Sequence, residues 1–148
     1  VGKKIPIVLK SMEIGKGRVI QEGTSIAIIS YGTRLQECII VSEKLNKIGF
    51  SSTIIDARFC KPLDKKLLFR VARNHNAIIT VEEGSIGGFG TQVMDALIKN
   101  HKTYSGLKLR CINLPDIFID QDTPENMYKV AKLDSYSIYK IALNLIKK

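Results

Sequence analysis

The chain has 148 residues, 45% hydrophobic and 25% charged, a composition that fits one globular domain with room for a real core. No apolar run approaches the roughly 18 residues of a membrane span, and the start Val1-Gly2-Lys3-Lys4-Ile5-Pro6 lacks the apolar segment and cleavage site of a signal peptide, so neither membrane insertion nor secretion is expected. The formal net charge is +9, but the lysines are spread along the chain without interleaved aromatics, which argues for a solvated surface and against nucleic-acid binding.

Cys38, Cys60 and Cys111 stand far apart and form no C-x-x-C pair. This argues against a disulfide framework and against a zinc site, and for small apolar residues in a reducing compartment. The chain opens on Val1 and not on Met, so we expect a piece of a longer protein.

In chain order, residues 1–25 read as a lead-in. Gly15-Lys16-Gly17 and Glu22-Gly23 are turn punctuation around a short edge strand, Arg18-Val19-Ile20, whose direction is not legible. Residues 26–31 form a continuous apolar run of the kind that suits a central parallel strand covered on both faces. Thr33 is placed to cap the next helix. Leu35, Cys38, Ile39, Leu45 and Ile48 fall on or near one face of it, and Gly49 is the expected stop. Residues 52–57 make the second strand of a right-handed βαβ unit.

A loop through Pro62 follows, then a helix capped by Asp64 with Leu67, Leu68, Val71 and Ala72 inward. It stops at Asn74-His75-Asn76. Residues 77–81 are the third hydrophobic strand, a glycine-rich turn comes next, and a helix is expected over about 91–100. Residues 107–114 are the fourth hydrophobic strand, and residues 116–121 a loop with exposed-looking apolar side chains. Thr123-Pro124-Glu125 starts a short helix ending near Lys132. Asp134 caps the last helix, in which Ile138, Ile141, Ala142, Leu145 and Ile146 repeat at steps of three and four. The expected fold is one three-layer α/β/α domain over residues 1–148, with a mostly parallel five-stranded sheet compatible with one antiparallel edge strand.

The motif of greatest interest is Thr80-Val81-Glu82-Glu83-Gly84-Ser85-Ile86-Gly87-Gly88-Phe89-Gly90. It lies at the carboxyl end of a strand, where open α/β sheets place their functional crevice. The dinucleotide fingerprint needs a third glycine that Thr91-Gln92-Val93 does not supply, and no P-loop lysine is present. The glycines therefore read as devices for positive φ and close approach, either of another chain or of an anion at the helix start. Glu82 and Glu83 are neighbours and should point to opposite faces, one capping the glycine turn and the other facing a partner. His75 and His101 both end helices, where a cation is favoured, and have no ligand-spaced acids or thiols. No catalytic, cofactor-binding or metal-binding residue is therefore nominated. The candidates are interface residues: Glu82, Glu83, Gly84, Gly87, Gly88 and Gly90.

Several strings stand together in order: Ile14-Gly-Lys-Gly-Arg18, Ser30-Tyr-Gly-Thr33, Asp56-Ala-Arg-Phe-Cys-Lys-Pro-Leu-Asp64, the motif above, and Leu114-Pro115-Asp116. Over nearly its whole length the chain resembles the C-terminal domain of 1-deoxy-D-xylulose-5-phosphate synthase. An acidic strand end followed by a glycine turn is shared by the wider transketolase and pyruvate dehydrogenase beta group. R-F-C-K-P-L-D and V-E-E-G-S-I-G-G-F-G point more narrowly to the synthase.

The resemblance implies a homodimeric enzyme that joins pyruvate and glyceraldehyde 3-phosphate with loss of carbon dioxide. It further implies thiamine diphosphate and magnesium held by upstream domains, and a product that feeds isoprenoid, thiamine and pyridoxal synthesis. This domain would then be structural and dimer-supporting, inactive alone, with the upstream domains and a second copy as partners, in a bacterial cytoplasm or a plastid-type organelle. The family's substrate-phosphate arginine lies just before this domain and has no counterpart here. Where the family commonly reads L-P-D-R-F-I-D-H-G, this chain has Ile117, Gln121 and Asp122 in place of Arg, His and Gly. Two alternatives are another enzyme of the superfamily, such as a transketolase or a 2-oxoacid dehydrogenase beta subunit, and a freestanding anion-binding module.

Overall fold

The computed structural model describes residues 11–100, 104 and 106–147. Strands β1 (Arg18–Gln21), β2 (Ile26–Tyr31), β3 (Ser52–Asp56), β4 (Ala77–Glu82) and β5 (Lys108–Ile112) form one sheet in the order β1-β3-β2-β4-β5. β2, β3, β4 and β5 pair in parallel, whereas β1 lies antiparallel on β3 with a register break between Val19 and Gln21. The mixed sheet is thus the one expected, with its antiparallel member at the edge.

The helices α1 (Leu35–Asn46), α2 (Lys65–Asn74), α3 (Phe89–Lys99), α4 (Pro124–Val130) and α5 (Ser135–Lys147) follow the strands. Side-chain alternation divides the core into two layers. Ile26, Ile28, Ile54, Ile79 and Val81 pack against Cys38, Val41 and Leu45 of α1 and Ile138 and Ala142 of α5. Ala27, Ile29, Ile55 and Ile78 pack against Leu68, Val71 and Ala72 of α2 and Phe89, Val93 and Leu97 of α3. Every residue of β4 is buried, as a central strand covered on both faces requires.

Three expected caps are present. Asp64 accepts from the Leu67 amide at 3.0 Å, Thr123 from that of Asn126 at 3.4 Å, and Asp134 from those of Tyr136 and Ser137 at 3.0 and 3.1 Å. The Thr33 cap is not, because its hydroxyl bonds Glu83 and α1 starts without a side-chain cap. Ile48 lies past the end of α1 and is 47% exposed, outside the core stripe assigned to it. α3 begins at Phe89, two residues before the expected start, for a reason given below. α4 ends at Val130, and Ala131 and Leu133 of the following turn are the buried residues there.

His75 ends α2, as expected. It is buried at the end of α2, with Nδ1 3.0 Å from the Val71 carbonyl oxygen and Nε2 2.9 Å from the Thr53 hydroxyl and 3.0 Å from the Gly23 carbonyl oxygen. It therefore fastens the lead-in to β3 and α2. His101 lies outside the described residues.

Candidate contact surface at the carboxyl edge of the sheet

β4 delivers two adjacent carboxylates to the carboxyl edge, and the strand's alternation sends them opposite ways. Glu82 turns toward α3 and is 4% exposed. Its Oε2 accepts from the Phe89 amide and its Oε1 from the Gly90 amide, both at 2.8 Å. α3 has Gly88 at its cap position and no side chain of its own to satisfy the first amides. The carboxylate at the end of the preceding strand does so instead, and its charge opposes the positive end of the helix dipole. This bidentate clamp starts α3 at Phe89. It also occupies the helix N-terminus that the sequence left open to an external anion.

The clamp explains the glycines. A Cβ on Gly88 would collide with Glu82 Oε2, and one on Gly84 would stand 2.5 Å from the same oxygen. Gly90 is shut in from the other side, where a Cβ would meet Cys111 Sγ and Thr80 Oγ1, each at 2.8 Å. The close approach these three glycines permit is that of the chain's own side chains. Gly87 differs: its φ is +98° and the space beyond its Cα is open. Its positive φ lets the turn close, with the Gly87 amide donating to Thr91 Oγ1 at 3.1 Å. On the sheet side of the turn, Tyr31 stacks on Phe89 with ring centroids 5.3 Å apart.

Glu83 turns toward α1 and α4. It accepts a short hydrogen bond from the Thr33 hydroxyl and pairs with Arg34 Nε at 2.7 Å. The Arg34 guanidinium lies 3.6 Å from the centroid of the Tyr128 ring, and the Tyr128 hydroxyl also bonds Glu83. Burial works against the Glu83 charge, but the Thr33 and Tyr128 hydroxyls and Arg34 more than offset it and hold the carboxyl below its ordinary value. Tyr128 is raised in turn, first by its bond to Glu83 and then by burial. The bonds of Glu83 thus go to β2–α1 and α4 of the same chain, and its side chain stays partly exposed.

The other distinctive string is also accounted for by internal contacts. Asp56 at the end of β3 pairs with Arg18 at 3.1 Å and Arg58 at 3.7 Å. Asp64 caps α2 and also accepts from the Gly17 amide at 3.2 Å, so the R-F-C-K-P-L-D loop pins the lead-in beside the sheet. Burial and the Glu82 charge both raise the Cys60 thiol in this loop. Buried Cys38 is pushed up to about 12 by desolvation. Neither has the lowered pKa of a nucleophilic cysteine.

The edge also leaves large apolar side chains exposed. Ile86 at the tip of the glycine turn is 73% exposed, and Ile117 and Phe118 after β5 are 61% and 103% exposed. The Leu114 amide donates to the Gly84 carbonyl at 2.9 Å, which ties the turn to the segment leading to Phe118. The sequence signalled the exposed loop over 116–121, but Ile86 was not singled out, because an apolar residue in a glycine turn belongs to no periodic pattern. Among the described residues, no group of three or more His, Cys, Asp or Glu could hold a metal ion.

The sequence profile described as "Transketolase, C-terminal domain" matches residues 15–138. Solved structures agree on the fold. A split-gene transketolase, in an inactive beta4 tetramer, superposes with a TM-score of 0.84 at 24% identity, over 97% of this chain and 47% of that one. Transketolase from Campylobacter jejuni gives 0.64 at 13% identity over 88% of this chain, and a mutant transketolase from Pichia stipitis gives 0.64 at 14% over 90%. The chain spans 18% of each of these two and under half of the first. With a profile match from the lead-in to α5 and the shared fold, the chain belongs to the transketolase C-terminal domain family.

Proposed function

We propose that the chain is the C-terminal domain of a thiamine-diphosphate-dependent 1-deoxy-D-xylulose-5-phosphate synthase, which condenses pyruvate with glyceraldehyde 3-phosphate and releases carbon dioxide. One observation carries this reading: the uninterrupted strings R-F-C-K-P-L-D at 58–64 and V-E-E-G-S-I-G-G-F-G at 81–90. In this reading thiamine diphosphate and magnesium bind upstream domains. The present domain contributes a rigid wall and a contact surface, with Ile86, Ile117 and Phe118 as its apolar rim and the candidate residues 82–90 as its support. Its partners are those upstream domains and a second copy, giving a homodimer, in a bacterial cytoplasm or plastid-type organelle.

The test is to express this chain joined to its upstream sequence and to measure carbon dioxide release from pyruvate with glyceraldehyde 3-phosphate as acceptor. Dependence on both substrates and on thiamine diphosphate is expected. Ketol transfer between sugar phosphates, or reductive acylation of a lipoyl group, would assign the domain to a transketolase or a 2-oxoacid dehydrogenase instead. The isolated chain should show no turnover and no calorimetric binding of thiamine diphosphate.

A further inference from the structure

On the β1 side of the sheet, a groove of about 320 Å³ runs between β1 and α2, lined by Lys16, Gly17, Val19, Asp64, Lys66, Leu67, Arg70 and Arg73. Lys66, Arg70 and Arg73 stand at i, i+4 and i+7 of α2, so they share one face and span roughly 10 Å along it. Lys16 joins them from the lead-in. The acids nearby are already engaged. Asp64 is bonded to the Leu67 and Gly17 amides, Glu22 pairs with Arg70 at 3.1 Å, and Glu13 stands 4.0 Å from Lys16. Lys66 and Arg73 are exposed, and no ion pair is formed by either among the described residues.

A second observation concerns local electrostatics. The first turn of α2 carries Lys65 and Lys66 and no acid. Cations there oppose the helix dipole, and the Asp64 carboxylate at the cap position offsets them. Val19, Leu67 and the Asp64 carboxylate line the groove between the cations, and Gly17 is packed against Leu67. An extended acidic peptide adding to β1 fits less well, because the register break at Val19 and Gln21 twists that edge away from regular pairing.

From this juxtaposition we infer that the β1–α2 groove binds a small polyanion carrying two or more phosphoryl groups. The phosphates lie along Lys66, Arg70 and Arg73, with Lys16 closing the other side and Arg70 exchanging Glu22 for the ligand. The site lies on the β1 side of the sheet and does not depend on which enzyme the domain serves.

Calorimetric titration of the 148-residue chain with inorganic tripolyphosphate tests this, alongside Lys66→Glu, Arg73→Ala and, as a control on the opposite face of the sheet, Lys140→Ala. Saturable one-to-one binding is expected, weakened at least tenfold by each groove variant, unchanged by Lys140→Ala, and falling with added salt. Lys66→Glu should also raise the melting temperature while binding is lost, an opposition that a misfolded variant would not produce. No binding, equal weakening by Lys140→Ala, or tighter binding of an oligoglutamate peptide than of tripolyphosphate would each overturn the proposal.

Discussion

The two glutamates at the end of β4 sit side by side and do different things. Glu82 is buried and bonded to two backbone amides, so it is part of how α3 begins. Glu83 is partly exposed and bonded to side chains from β2–α1 and α4, so it joins elements that are already formed. A carboxylate that completes the backbone is hard to replace, whereas one that links side chains through solvent-screened pairs is not. The glycine turn follows from the first role, since three of its four glycines are small because Glu82, Thr80 and Cys111 fill the space a Cβ would take.

The largest effect should come from Glu82→Ala. It leaves the Phe89 and Gly90 amides without partners in a buried place and should cost about 3 kcal/mol. A fall in the denaturation midpoint at unchanged slope would report it. Gly90→Ala should follow at about 2 kcal/mol, because Cys111 and Thr80 must move to admit the methyl group. For the same reason Gly88→Val disrupts the clamp itself and is a poor probe of any partner.

Glu83→Gln should cost about 1 kcal/mol or less, since the pair is partly exposed and screened. Its signature is pH dependence. The folded carboxyl titrates below its ordinary value of 4.5, so the stabilisation is fully present above that value and is lost as the pH falls below it. Asp134 behaves alike below its ordinary 3.8: burial opposes its charge, and the Ser137 hydroxyl and the Ser137 and Tyr136 amides outweigh it. Stability measured from pH 7 down to pH 3 should therefore decline more gently in Glu83→Gln than in the wild type.

The same contrast shows what the sequence made legible. Continuous apolar runs marked β2, β3 and β4, and the caps at Asp64, Thr123 and Asp134 were readable because each acts within a few residues of itself. Thr33 misled because its hydroxyl answers to Glu83, fifty residues away. The burial of His75 was not legible because its partners, Gly23 and Thr53, lie in other elements. The opposed directions of Glu82 and Glu83 followed from strand alternation, and the structure gives the capping role to Glu82. That the glycines serve this capping carboxylate needed the fold, since the same spacing also suits an external anion or another chain.

The smallest effect on the isolated chain should come from the rim. Ile86→Ser and Phe118→Ser remove exposed side chains and should shift stability by no more than about 0.5 kcal/mol. In the joined enzyme these positions should matter. The most direct measurement is sedimentation and turnover of the full-length enzyme carrying Ile117→Asp and Phe118→Asp, with the melting temperature of the isolated chain bearing the same changes as reference. The contact-surface account predicts weakened subunit association or lost turnover at an unchanged melting temperature. Association and turnover both equal to wild type would contradict it.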